Sequence, residues 1–146
     1  MIKIEKEKRY VKLSVIGYQY PEIENGYYDS NWLQVMLKAD DGTNKWVKVD
    51  PALMTTDLIK CAAWFRDLSE GRMPENEILG FIEPCIAFAY ACEDSGIILY
   101  IRFAYEMSPF HEINDEAYYI KFKLSRAELA CVSDQFENES KCFPPR

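Results

Sequence analysis

Two glutamates in this chain stand close to a proline, Glu83 in "FIEPCIAF" and Glu106 in "FAYEMSP", and a strand register can bring them together. If Glu93 to Gly96 is a four-residue loop, the hairpin around it pairs Cys92 with Ile97, Tyr90 with Leu99, Phe88 with Ile101 and Ile86 with Phe103. Continued past Ile86, that register sets Glu83 opposite Glu106, on the face that also carries Arg102. Like charges directly opposite destabilise a sheet by a few tenths to roughly 1 kcal/mol, so a fold gains nothing from the pair. Two close carboxylates can serve as the acid and base of a hydrolase, or as sites for a partner's Lys or Arg. The alternative is that Pro84 bulges the strand, breaks the register and separates them.

The same face sets Ala87, Ala89 and Ala91 across from Arg102, Tyr100 and Ile98, and small residues there leave room for something to lie on them. Arg and Tyr combine contact area with directed hydrogen bonds at interface centres, so Tyr100 and Arg102 join Glu83 and Glu106 as candidate partner-binding residues. Asp40 and Asp41, at the tip of an earlier hairpin, complete that set. The only histidine, His111, lies beside Glu112, Asp115 and Glu116 in "SPFHEINDE". With no nucleophile at recognisable spacing and few metal ligands, a solvated loop is the stronger reading than a general base or metal site. Five cysteines, Cys61, Cys85, Cys92, Cys131 and Cys142, show no CxxC or Cys/His spacing and read as reduced core thiols. No catalytic residue, metal or cofactor is expected.

The elements that must position these groups follow from periodicity. Tyr10 to Tyr18 alternates as a half-buried strand with Val11, Leu13 and Val15 inward. In "SNWLQVMLKADDGTNKWVKVDP" a loop from Asp40 to Asn44 pairs Leu37 with Val47 and Val35 with Val49, making one apolar face. The other face then sets Lys38 against Trp46 and Met36 against Lys48, with lysine stems covering the indole. Thr55 or Thr56 can cap a helix with Asp57 in its first turn and Leu58, Cys61, Ala62, Phe65 and Leu68 as its apolar stripe, ending near Gly71. Trp64, at the stripe's edge, reads as core. Strands return from Ile78, and Ser125 with Glu128 forms a capping box for a last helix with Leu129, Val132 and Phe136 inward. The order βββ-α-ββββ-α describes an α+β fold, a mainly antiparallel sheet of about seven strands with two helices packed on it, and a single domain over residues 1–146. Neither GxGxxG nor GxxxxGK[ST] occurs.

Composition excludes several classes. Nearly half of the residues are apolar and Gly and Pro are few, which argues against disorder. The charged N-terminus lacks the apolar region of a secretory signal, and no apolar stretch approaches a bilayer span, so a cytoplasmic protein with no membrane partner is expected. A net charge of −7 argues against nucleic-acid binding and suits a basic partner.

The succession "NWLQVMLKADDGTNKWVKVDPALMTTDLIKCAAWFRDL", "FIEPCIAF" and "FAYEMSP" resembles the WapI-like family of small bacterial immunity proteins, partners of wall-associated contact-dependent toxins. The recurring features are a tryptophan before a proline-led helix, an aromatic pair inside that helix, and the Glu-Pro and Glu-x-x-Pro strand ends. Here they are Trp46, Pro51, Trp64, Phe65, Glu83, Pro84, Glu106 and Pro109. The resemblance implies a cytoplasmic, non-enzymatic inhibitor that binds a cognate toxin C-terminal domain, basic and typically RNA-cleaving, in a stoichiometric complex. Two other classes remain open at this point. One is a carrier of a small apolar ligand, in a cup lined by Phe88, Tyr90, Phe103, Tyr118 and Phe122. The other is a hydrolase using Glu83 and Glu106.

Overall fold

Short runs that alternate apolar and polar residues can bury one face only by pairing with neighbours, and this chain does so through successive antiparallel hairpins. The computed structural model describes residues 1–24, 28–110 and 117–146, and its element order is ββββ-α-ββββ-α, an α+β arrangement. The first sheet runs β1 (Ile2–Lys6), β2 (Arg9–Tyr18), β3 (Trp32–Asp40) and β4 (Lys45–Met54) in spatial order β1-β2-β3-β4. The second runs β5 (Ile78–Leu79), β6 (Ile86–Glu93), β7 (Gly96–Phe103) and β8 (Tyr118–Leu124) in order β5-β6-β7-β8. Helix α1 (Thr55–Ser69) leaves β4 directly and separates the sheets in sequence, while α2 (Arg126–Cys142) follows β8.

The strands thus divide into two sheets of four rather than one of about seven. The added strand is β1, where Ile2 and Ile4 alternate with charged residues over only five positions. Both isoleucines are buried, opposite Leu13 and Val11.

In the β3–β4 hairpin the register differs by one residue from the sequence expectation. Leu37 pairs with Lys48, Lys38 with Val47, Ala39 with Trp46 and Asp40 with Lys45. The cause lies in the turn. The Asp41 carboxylate accepts from the amides of Thr43 (2.8 Å) and Asn44 (2.6 Å), and Gly42 at φ +90° closes a loop one residue shorter. A slip of one residue exchanges the two faces of a strand. Trp46 therefore enters the core, where Phe103 and Tyr118 meet it edge-on, and Val47 and Val49 are 57% and 53% exposed.

The β6–β7 hairpin keeps the expected register throughout, from Ile86↔Phe103 to Cys92↔Ile97. The α1 stripe of Leu58, Cys61, Phe65 and Leu68 is buried, and so is Trp64, whose indole donates to the Asn76 carbonyl (2.9 Å). No side-chain oxygen caps the helix; the Asp57 carboxylate instead accepts the Met54 amide (2.8 Å). Helix α2 opens on the Ser125–Glu128 capping box and buries Leu129, Val132 and Phe136. Phe65 stacks on Phe136 with centroids 5.6 Å apart and meets Phe88 edge-on at 5.3 Å, so one ring joins both helices to the second sheet. Residues of both sheets and both helices form one core cluster.

Two of the five thiols, Cys61 and Cys85, lie in that core, whereas Cys92, Cys131 and Cys142 are exposed, contrary to the expectation of mostly buried cysteines. Cys92 sits beside the turn of the β6–β7 hairpin, and Cys131 and Cys142 are exposed on α2. A thiol reagent applied to the native protein should label Cys92, Cys131 and Cys142 rapidly, with Cys61 and Cys85 reacting only after denaturation, as counted by intact-mass spectrometry. Phe65→Ala should lower stability by about 3 to 5 kcal/mol in urea denaturation, because truncation there leaves a cavity between two helices and a sheet.

Candidate functional site

Two of the groups singled out in the sequence, Glu83 and Glu106, lie near the junction between β4 and the second sheet. The Trp46 indole N–H donates to the Met107 carbonyl (3.1 Å), which holds β4 against the single 3-10 turn Tyr105–Met107 that follows β7. The Ala104 amide donates to the Cys85 carbonyl (3.0 Å), fastening the same turn to the segment before β6. Strand pairing between β6 and β7 stops at Ile86↔Phe103. Glu83 and Pro84 fall in the turn between β5 and β6, and Glu106 falls in the 3-10 turn, so the two glutamates do not face each other across a ladder. Proline's missing N–H fits this break.

The two are nevertheless gathered around a third carboxylate that the sequence did not single out, Asp50 of β4. Loss of hydration lifts the Asp50 carboxyl above its usual value, and the negative charges of Glu83 and then Glu106 lift it further. The Cys85 thiol lies 3.9 Å from Asp50 and is pushed up to about 12, chiefly by burial and then by Asp50 and Glu83. That thiol stays protonated at neutral pH and is no nucleophile. Among the described residues no cation forms an ion pair with Asp50, Glu83 or Glu106. Glu83 and Glu106 thus lie within electrostatic reach of Asp50, and among the described residues none of the three is neutralised by an ion pair. Among the described residues, no group of three His, Cys, Asp or Glu is arranged to hold a metal ion.

The other candidates lie apart from this junction in different settings. Arg102 and Tyr100 stand on the outer face of the second sheet, opposite Ala87 and Ala89. The Arg102 Nε is buried with no hydrogen-bond partner among the described residues, and Lys121 Nζ lies 5.4 Å from the centre of the Tyr100 ring. Asp40 and Asp41 shape their own turn: Asp40 accepts the Gly42 amide (2.9 Å), and Asp41 also accepts the Tyr118 hydroxyl. Against the upward pull of burial, the hydrogen bonds from Tyr118, Asn44 and Thr43 hold the Asp41 carboxyl below its usual value. His111, Glu112, Asp115 and Glu116 lie outside the described residues.

The aromatic residues suggested as a ligand cup fill one another instead. Phe88, Phe103 and Phe122 are fully buried; Phe88 meets Phe65, Phe81 and Phe136, and Phe103 meets Trp46. Tyr118 lies against Trp46 and Phe110, and Tyr90 borders an open groove of about 500 Å³ at the far end of the hairpin. Charge also gathers where sequence order concealed it. Lys3, Lys12 and Lys38 stand side by side across β1, β2 and β3 on the outer face of the first sheet. Glu5 pairs with Lys3 (2.8 Å), and Lys12 lies over the Tyr10 ring. Among the described residues no helix is long and apolar enough to cross a membrane.

Compared with known families, the chain matches the immunity protein WapI-like family over residues 1–144 and belongs to that family. Membership in a family of immunity proteins implies a toxin partner. Neither the curated proteins nor the solved structures give a match.

The junction makes a measurable prediction. Because the folded-state pKa of Asp50 is raised, the folded chain holds its proton longer than the unfolded chain. Asp50 therefore favours folding most at acid pH, and that contribution is lost as pH rises through the ordinary carboxylate value to the raised one. Asp50→Asn should flatten the stability profile across that window. In NMR titrations of the carboxyl carbon, Glu83→Gln and Glu106→Gln should each move the Asp50 pKa downward; an unmoved Asp50 in both variants would separate the three groups.

Proposed function

We propose that this protein is an antidote acting in the cytoplasm of the toxin-producing cell. It inhibits, without catalysis, the C-terminal domain of a cognate toxin by forming a stoichiometric complex with it. Residues 1–146 act as one binding domain, and the partner is a basic, RNA-cleaving domain. The observation that carries this reading is that Glu83 and Glu106 lie within electrostatic reach of Asp50, near the junction of the two sheets, with no ion pair to any of the three among the described residues. A fold built for stability alone would place a cation among three carboxylates or disperse them. A nuclease must offer a cationic groove to RNA phosphates, and an acidic inhibitor can occupy it with rapid, salt-sensitive association.

In this reading Glu83 and Glu106 receive Lys or Arg side chains of the toxin domain. Tyr100 and Arg102 are the anchors at the centre of the contact, and Asp40 and Asp41 contribute to its rim. Family membership supports the toxin as partner, and the net charge of −7 supports its basic character.

Co-expression with the cognate toxin domain tests the proposal. The parent chain should protect cells and co-purify with the toxin at one-to-one stoichiometry, and association should slow as salt rises. Glu83→Gln combined with Glu106→Gln should lose the complex and the protection together. Lost protection with an intact complex would reassign the glutamates to catalysis.

A further inference from the structure

We infer that the outer face of the second sheet is a docking surface for an acidic segment of a protein partner, with Arg102 receiving its carboxylate. The inference deepens the reading above and rests on it only for the identity of that partner.

The face is built by register. Ile78, Ala89, Tyr100 and Lys121 form one row across β5 to β8, flanked by rows containing Ala87, Arg102 and Tyr119 on one side and Ala91, Ile98 and Lys123 on the other. The opposite faces of these strands fill the core with Phe88, Leu99, Ile101, Ile120 and Phe122. Ile78 and Tyr119 are 67% and 51% exposed, so the face has an apolar component that the chain leaves open. Ala87 is buried, and the half-buried Ala89 and Ala91 at the centre permit close approach of another backbone.

Positive charge predominates on this face. Arg102, Lys121 and Lys123 project from it, and the only carboxylate in the four strands is Glu93 at the hairpin end. In a chain with 24 Asp and Glu against 17 Lys and Arg, carboxylates are the abundant charge and a cation left without one is unexpected. Lys121 lies over the Tyr100 ring and Lys123 donates to Ser95, but Arg102 has no ion pair among the described residues.

The Arg102 Nε is closed off from water and has no acceptor among the described residues, so that part of the guanidinium is already dehydrated. A partly dehydrated guanidinium meets a carboxylate with less desolvation left to overcome than a free surface arginine. Its planar fork favours a bidentate oxyanion, and the alanine floor with exposed Ile78 and Tyr119 favours a polypeptide carrying it, because a bare polyanion gains nothing from apolar surface.

The test is an NMR titration of the full chain with a synthetic octapeptide of alternating glutamate and alanine. Saturable shifts of the Ala87, Ala89 and Ala91 methyls and of the Arg102 Nε–H are expected. Arg102→Gln should weaken binding by about tenfold or more while leaving core signals in place. Ala89→Glu, an open-face change that should spare folding, should abolish it. Alanine signals unmoved at millimolar peptide, or an Arg102→Gln chain that binds like the parent, would overturn the inference. So would tighter binding of inorganic polyphosphate at the same signals, which would make this a nucleic-acid-type surface. The titration contains no toxin, so failure to protect cells counts against the proposed function, whereas unmoved alanine methyls count against this surface and the anchoring role of Arg102 and leave the toxin contact at Glu83 and Glu106 to the co-expression test.

Discussion

The Trp46 indole is the member on which the relation between the two sheets depends. Its ring is buried edge-on against Phe103 and Tyr118 of the second sheet, and its N–H is satisfied by the Met107 carbonyl. A buried indole N–H needs an acceptor, and the acceptor here is the backbone of the turn that carries Glu106. The same strand that carries Trp46 carries Asp50 four residues on. Insertion of the tryptophan therefore sets where Asp50 arrives, and hence which carboxylates share a site.

That dependence explains what the sequence disclosed and what it concealed. Local patterns were sufficient for the apolar stripe of α1, though not for its cap, which falls at Met54 and not at Thr55 or Thr56, and for the α2 capping box and the whole β6–β7 register, because each is specified within a few residues by periodicity or by one tight loop. The β3–β4 register turned on a single residue of loop length. There the side-chain hydrogen bonds of Asp41 decided the outcome, and hydrophobic count misled: two valines matched the apolar pattern, but the larger indole took the buried side. Strand β1 was overlooked because its charged residues dominate composition while only Ile2 and Ile4 mark its buried face. Family membership was legible from the succession of short motifs and is borne out over residues 1–144.

The candidate site was legible in part for a related reason. Glu83 and Glu106 were suspected of sharing a place, and both do lie within electrostatic reach of Asp50, but through turns and not through ladder pairing. Asp50 itself could not have been found without the correct β4 register, since contacts between distant strands are set by packing and not by spacing. The outcome is a surface of mixed sign: carboxylates at the sheet junction, cations on both outer sheet faces. Net charge alone, the quantity that sequence delivers most directly, averages over that pattern and hides it.

The placement of α2 has a consequence for how the protein comes into being. Hairpins close early as a chain emerges, because their contacts are local. Helix α1 cannot bury its stripe so soon, since Phe65 waits for Phe136 and the Ala62 carbonyl waits for the Ser133 hydroxyl, both supplied some seventy residues later. Until α2 leaves the ribosome the nascent chain carries an exposed aromatic surface of the kind that chaperones recognise. The interval between synthesis of α1 and arrival of α2 is thus a window of vulnerability, and the rate of translation across β5 to β8 sets its length.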